Sequence, residues 1–283
     1  MNLNKKIAYF GDGAIGGAAS YLSGVMKHFG IDFDRVDSTD PPPERFFDTP
    51  YSLYILSDYP SANFRHGELE TLARHVETEG SGLLMIGGWE SFYGRLGEYH
   101  RTVLADVLPV VMAESDDRRN WPLSVILRTV KNHPVVDNLP WNTPPGIGGY
   151  NAFIPKQDAE LLLEGIRIDL HVLGDDVDEA VVEPEAIDGV GFIPGRRIVI
   201  PMVDGDSIAV RPAEQIPMLV VGHYGEGRTA AFASDVAPHW VGGFVDWGPN
   251  RLSEPIGAEG DFIEVGENYA KFWRNLVQWT ARL

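Results

Sequence analysis

Apolar positions in the first ninety residues follow two spacings, a continuous run and a helical stripe, and the alternation predicts strand–helix repeats. Residues 5–10 (KKIAYF) read as a buried strand that ends in the glycine-rich stretch GDGAIGG. Residues 17–29 carry Ala18, Tyr21, Leu22, Val25 and Phe29 on one helical face, with Gly30 just past the end. Residues 33–37 form a second strand. The three prolines at 41–43 then break the chain, and a helical turn follows from Glu44 to Phe47. Residues 52–58 (SLYILSD) form a third strand. Residues 66–79 form a helix with Leu69, Leu72, Ala73 and Val76 on one side and Gly80 as its stop. Residues 82–87 (GLLMIG) form a fourth strand. Parallel neighbours need helical crossovers, so this pattern predicts an α/β fold with a doubly wound, mostly parallel sheet.

The middle of the chain changes character. Residues 120–215 are rich in proline and glycine, show short β-like runs such as LSVILRTV and RRIVIPMV, and carry no long helical stripe. A β-rich insertion at about 165–215 within a single domain spanning 1–283 is the expected organisation. The acidic stretch 174–189 is expected to be an exposed excursion. Residues 217–224 and 228–234 then read as two strands joined at Gly225-Glu226-Gly227, a hairpin. Residues 267–282 form a last helix whose stripe of Tyr269, Phe272, Trp273, Leu276 and Trp279 belongs in a core.

Charge and composition narrow the function classes. A formal net charge of −18 over 283 residues repels nucleic acid and anionic lipid, so neither is an expected partner. The absence of cysteine excludes disulfides, thiolate metal sites and thiol nucleophiles. The N-terminal residues run directly into a strand without the apolar stretch of a signal peptide, and no run of about 18 apolar residues occurs. A cytoplasmic protein with a small-molecule ligand is expected, and self-association is a reasonable default.

The segments GLLMIGGWESFYG (82–94) and PMLVVGHYGEGRTAAFASDVAPHW (217–240), with ILSDYPSANF (55–64) and HPVVDNLPW (133–141), resemble the putative glutamine amidotransferase family. That family is related to class I glutamine amidotransferases and to trehalose-utilisation-type domains. The likeness covers about 5–112, 120–160 and 216–282. It implies a flavodoxin-like core in which a turn after one strand carries a nucleophilic cysteine and a later strand supplies a histidine and a glutamate. Here the matching turn is Gly87-Gly88-Trp89-Glu90-Ser91, and Trp89 stands where the nucleophile would be. An indole cannot attack an amide carbonyl. Ser91 is a conceivable substitute, although it lies two residues further on.

The later strand offers Ser234, Asp235 and His239. Asp235 could orient the His239 ring, making His239 a general base or a ligand donor, or the two could simply cap the loop. Asp12, Asp58, Tyr150 and Asn151 lie at strand ends and are further ligand-binding candidates. As single residues, Asp12 and Asp58 also suit turns and helix caps. Together with Gly88, Trp89 and Glu90 they define an expected crevice at the carboxyl ends of the strands, where open α/β sheets place ligands. No compact metal-ligand spacing is present, and no metal or cofactor is expected in this reading.

A second motif competes. Gly11, Gly13 and Gly16 match G-x-G-x-x-G between a strand and a helix, and Asp37 follows Gly16 by 21 residues, at the end of the second strand. Backbone amides freed by such glycines can cradle a pyrophosphate while the acid holds a ribose. The alternative reading is therefore an NAD(P)- or nucleotide-binding protein. A third is a hydrolase that activates water with His239 and Glu90, or attacks through Ser91.

Overall fold

The structure is a computed structural model that describes residues 4–13, 17–173, 198–201, 207–256 and 262–283. The first half alternates as the apolar spacing predicts: β1 (Asn4–Gly11), α1 (Ala19–His28), β2 (Phe33–Val36), β3 (Tyr51–Ser57), α2 (Glu68–Glu79), β4 (Gly82–Ile86) and a short α3 (Leu104–Val107). The second half holds β5 (Val110–Met112), β6 (Arg118–Thr129), β7 (Gly146–Asn151), β8 (Phe153–Pro155), β9 (Glu160–Leu173), β10 (Ile198–Pro201), β11 (Ser207–Tyr224) and β12 (Gly227–Phe232). A turn of helix α4 (Pro238–Val241), the hairpin β13 (Arg251–Pro255) and β14 (Phe262–Gly266), and the long α5 (Glu267–Ala281) complete the chain.

The main sheet runs β2-β1-β3-β4-β12-β11-β9-β6-β7, with β10 beside β11. From β2 to β12 every pairing is parallel. The chain leaves β1 for β2 on one side, then returns to β3 on the other. That order is flavodoxin-like and puts a topological switch point between β1 and β3. Strands β3 and β4 are buried throughout, because helices cover both faces. The Tyr54 hydroxyl bonds His75 of α2 on one face, whereas Phe232 of β12 packs on Phe272 and Trp273 of α5 on the other. Gly30 and Gly80 take left-handed backbone just past α1 and α2, as their positions predict.

Beyond β12 the sheet becomes antiparallel, and its strands are longer than the short runs expected from sequence. β6, β9 and β11 have 12, 14 and 18 residues. The reason is visible in the ladder between β9 and β11. Its register slips next to Pro212 and Pro217, so prolines that would stop an ordinary strand sit at irregularities where no ladder hydrogen bond is needed. Pro122 similarly falls in the irregular stretch between Asn120 and Val125 of β6. Both β9 and β11 run through positions 165 and 215 without leaving the sheet. Residues 174–197 and 202–206, including the expected acidic excursion at 174–189, lie outside the described residues.

Candidate ligand-binding crevice

At the switch point β1 ends in Gly11-Asp12 and β3 in Ser57-Asp58. Asp12 (φ 58°) and Asp58 (φ 45°) both adopt left-handed backbone, which a residue with a side chain rarely takes unless its surroundings impose it. The surroundings do. The Asp12 amide donates to the Ser57 carbonyl at 3.0 Å, and the Asp58 amide donates to Ser91 Oγ at 3.0 Å. A Cβ on Gly11 would lie 1.5 Å from the Ser57 carbonyl oxygen, so only glycine lets the two strand ends approach this closely. The buried Asp12 carboxylate accepts from the Tyr9 hydroxyl and from Ser57 Oγ at 3.1 Å.

The turn after β4 forms the next wall. Asn151, at the end of β7, accepts the Gly88 amide at 2.8 Å and returns a bond to the Gly88 carbonyl at 3.1 Å. Its Nδ2 also donates to Asp117 at 2.9 Å, and Asp117 in turn accepts the Tyr93 and Gly94 amides. The turn is therefore fixed on both sides. A Cβ on Gly88 would fall 1.9 Å from Asp58 Oδ1, so the bare Cα makes room for that carboxylate. Glu90 donates its amide to the same Oδ1 at 2.8 Å. Trp89 projects from the turn, 47% exposed, and the Arg118 guanidinium lies 4.7 Å over its ring while Asp116 holds Arg118 at 2.7 Å.

The loop after β12 closes the crevice. Asp235 is 1% exposed and uses Oδ1 to accept the Val236 and Ala237 amides at 2.5 and 3.3 Å. Its Oδ2 lies 3.0 Å from His239 Nε2, as an ion pair. His239 itself is exposed at the rim.

Burial and mutual repulsion set the protonation of these groups. Burial raises the Asp12 carboxyl well above the usual range, and the charges of Asp235 and Asp58 add to it. Burial, then Asp235, lifts Asp58 to about 7. Burial also raises Glu90. His239 moves the other way for a base: its contact with Asp235 raises it and favours the charged ring. Among the described residues, no group of three such side chains is arranged to hold a metal ion.

The crevice thus unites Asp12, Asp58, Gly88, Trp89, Glu90, Asp235 and His239. The other expected site residues stand elsewhere. Ser91 is 1% exposed beneath Asp58, Ser234 is buried and donates to the Gly149 carbonyl at 2.7 Å, and Asn151 is a clamp. Tyr150 precedes Asn151 on the strand, so it points to the opposite face, where Arg167 and Glu214 act on its phenol. In the glycine loop, Gly13 donates to Ser38 Oγ at 3.1 Å, and Asp37 accepts the Thr39 amide and hydroxyl at 3.0 Å. Gly16 lies outside the described residues. Tyr9, Ser57, Asp117 and Arg118 support the site without having stood out in the sequence.

The sequence profile of the family described as "Putative glutamine amidotransferase" matches residues 53–177 and 175–282. The chain belongs to this family. Two solved structures resemble it over nearly their whole length. The cytoplasmic protein STM3548 of Salmonella typhimurium is 24% identical, with 97% of this chain and 98% of that one covered and a TM-score of 0.64. The cytoplasmic protein STM1381 of Salmonella typhimurium LT2 is also 24% identical, with 97% and 99% covered and a TM-score of 0.63. Likeness at this level shows a shared fold. No curated protein matches the chain. Because the chain contains no cysteine, this member of the family cannot run a cysteine-dependent glutaminase reaction.

Proposed function

We propose that this cytoplasmic, amidotransferase-like domain binds a small polar ligand, such as a carbohydrate or an acyl or amide compound, at the β1/β3 switch point. On this reading it is one domain over 1–283, with the stretch at about 165–215 as an insertion. One observation carries the proposal: an exposed Trp89, backed by Arg118, stands beside the carboxylates of Asp58 and Glu90. An aromatic face next to hydrogen-bond acceptors is the composition of a small-molecule site. Titration with a panel of sugars, polyols and amides, followed by tryptophan fluorescence, tests it. Saturable binding that weakens in Trp89→Ala supports the proposal. Binding that ignores Trp89→Ala sinks it.

A hydrolase reading is favoured by the Asp235–His239 contact, which orients an exposed imidazole beside Glu90 and Asp58. In its neutral form, which gains ground as pH rises above the raised value, His239 would take a proton from water as the water adds to an acyl carbon, and would then give that proton to the leaving group as its bond to the carbon breaks. The buried Ser91 hydroxyl, already accepting the Asp58 amide, is a support and not a nucleophile in this scheme. Turnover of any panel compound that survives His239→Ala unchanged removes this reading. The nucleotide reading is weakened by the same geometry. Asp12 buries a carboxylate under the loop that would cradle phosphates, and Asp37 is already satisfied by Thr39.

A further inference from the structure

At its carboxyl end β12 leads to Asp235 and the crevice; at its amino end, Arg228 borders a second recess. This recess has a volume of about 450 Å³ and lies where the C-terminal end of α5 meets the hairpin turn between β11 and β12. Arg228, Gln278, Trp279, Arg282 and Pro134 contribute to its wall, and none of its lining side chains is acidic. The chain has 41 acidic residues against 23 lysines and arginines, so this surface runs against the charge of the rest. Both guanidinium groups are held in place. Arg228 lies 4.9 Å over the Trp279 ring and donates from Nη1 to the Trp279 carbonyl at 2.7 Å. Left-handed backbone at Arg282 (φ 57°) ends α5, and its guanidinium donates to the Glu226 carbonyl. It lies over the bare Cα of Gly80, where a Cβ would come within 3.3 Å of Nη1. These anchors are neutral carbonyls, and each takes one of the five N–H donors of a guanidinium. Burial and the charge of Arg282 both act against the charged form of Arg228, so like charges are held together with no acidic side chain between them. The last carbonyls of α5 do not fill that role, since Trp279 also accepts the Arg282 amide and Gln278 the Leu283 amide.

We infer that this recess binds a phosphate dianion, free or carried as a monoester by a small molecule. Two guanidinium groups match two negative charges, and their forked N–H donors match the edges of a tetrahedral oxyanion. A carboxylate brings one charge and two oxygens, enough for one fork only. Gln278 adds an amide donor at the same wall. The recess is larger than the ion, and Trp279 and Pro134 offer apolar surface to the group that would carry it. The site shares no residue with the crevice, so neither reading depends on the other.

Calorimetric titration with inorganic phosphate at neutral pH and low salt tests it. A Kd of about 1 mM or tighter is expected, rising about tenfold or more in Arg282→Gln and in Arg228→Gln. Arg282 is exposed, so its variant keeps the result readable if loss of the Arg228 anchor unfolds the other. Arg251→Gln removes the same charge next to Asn250, which bonds Glu267 at the far end of α5, and should leave the Kd unchanged. Glucose 6-phosphate and glucose then identify the source. Glucose 6-phosphate binding at least as tightly as phosphate, with glucose not binding, assigns the dianion to a monoester. Phosphate binding more tightly than glucose 6-phosphate assigns it to the free ion. No binding of phosphate at tens of millimolar would overturn the inference. So would a Kd unmoved in Arg282→Gln, an equal loss in Arg251→Gln, or glucose binding as tightly as its phosphate.

Discussion

The amide of Glu90 donates to Asp58 Oδ1 at 2.8 Å, so the turn that follows β4 holds the carboxylate that ends β3. Two segments 32 residues apart are thereby made into one wall. The Asp58 side chain is held by a backbone donor and fits against the bare Cα of Gly88. The consequences are measurable.

Gly88→Ala would place a methyl group 1.9 Å from Asp58 Oδ1 and 2.6 Å from Oδ2. The carboxylate must leave, because the Asn151 clamp prevents the turn from moving instead. Loss of ligand binding is expected, with a stability cost of about 1–3 kcal/mol read by urea denaturation. Wild-type binding by Gly88→Ala would show that Asp58 does not shape the crevice.

Asn151→Ala strips the partners from the Gly88 amide, the Gly88 carbonyl and Asp117, all inside the protein. Buried polar groups left without partners make this costly, about 2–3 kcal/mol in urea denaturation. A loss well under 1 kcal/mol would mean that water replaces the amide.

Asp58 titrates at about 7 in the folded protein, against about 3.9 in an unfolded chain. Between those values the folded state keeps a proton that the unfolded state has released. Its contribution to stability is therefore complete below about pH 4 and is lost as pH rises through 7. Asp58→Asn should make the protein more stable than wild type at pH 8, by on the order of 2 kcal/mol, with the difference shrinking towards pH 4. Parallel wild-type and variant stability curves across this range would refute the assignment.

The His239 ring is held in its charged form by Asp235, so its proton should come off above the usual histidine value. The stabilisation is present while the ring is protonated in both states and disappears as pH rises through the raised value. NMR titration of the imidazole should show the midpoint falling in Asp235→Asn. An unmoved midpoint would break the pairing.

Much of this arrangement could be read from the chain because it rests on local signals. The helical stripes of α1, α2 and α5, the stops at Gly30 and Gly80, and the unbroken apolar runs of β3 and β4 all reflect burial on one or both faces. Asp12, Asp58, Asp235 and His239 could be placed at one end of the sheet because each follows a strand and parallel strands end together. The supports could not be found this way. Asp117 follows Asp116 in an acidic pair that reads as a solvated surface, yet it is fully buried under the turn of Gly94. Asn151 and Tyr150 looked equivalent, and only the strand's alternation sends one to Gly88 and the other to Arg167. The antiparallel half was obscured by Pro122, Pro212 and Pro217, which interrupt the pattern without ending the strands.

Trp89 stands where the resemblance places the nucleophile, but a cysteine at this one position would not make a thiol enzyme. A cysteine at 89 would inherit neighbours whose donors are already engaged, Gly88 with Asn151 and Glu90 with Asp58. It would also face carboxylates that oppose the formation of a thiolate. A thiol-dependent reaction at this turn is therefore opposed by several residues at once. The turn thus spends on its own rigidity the donors that a nucleophile there would need for its oxyanion.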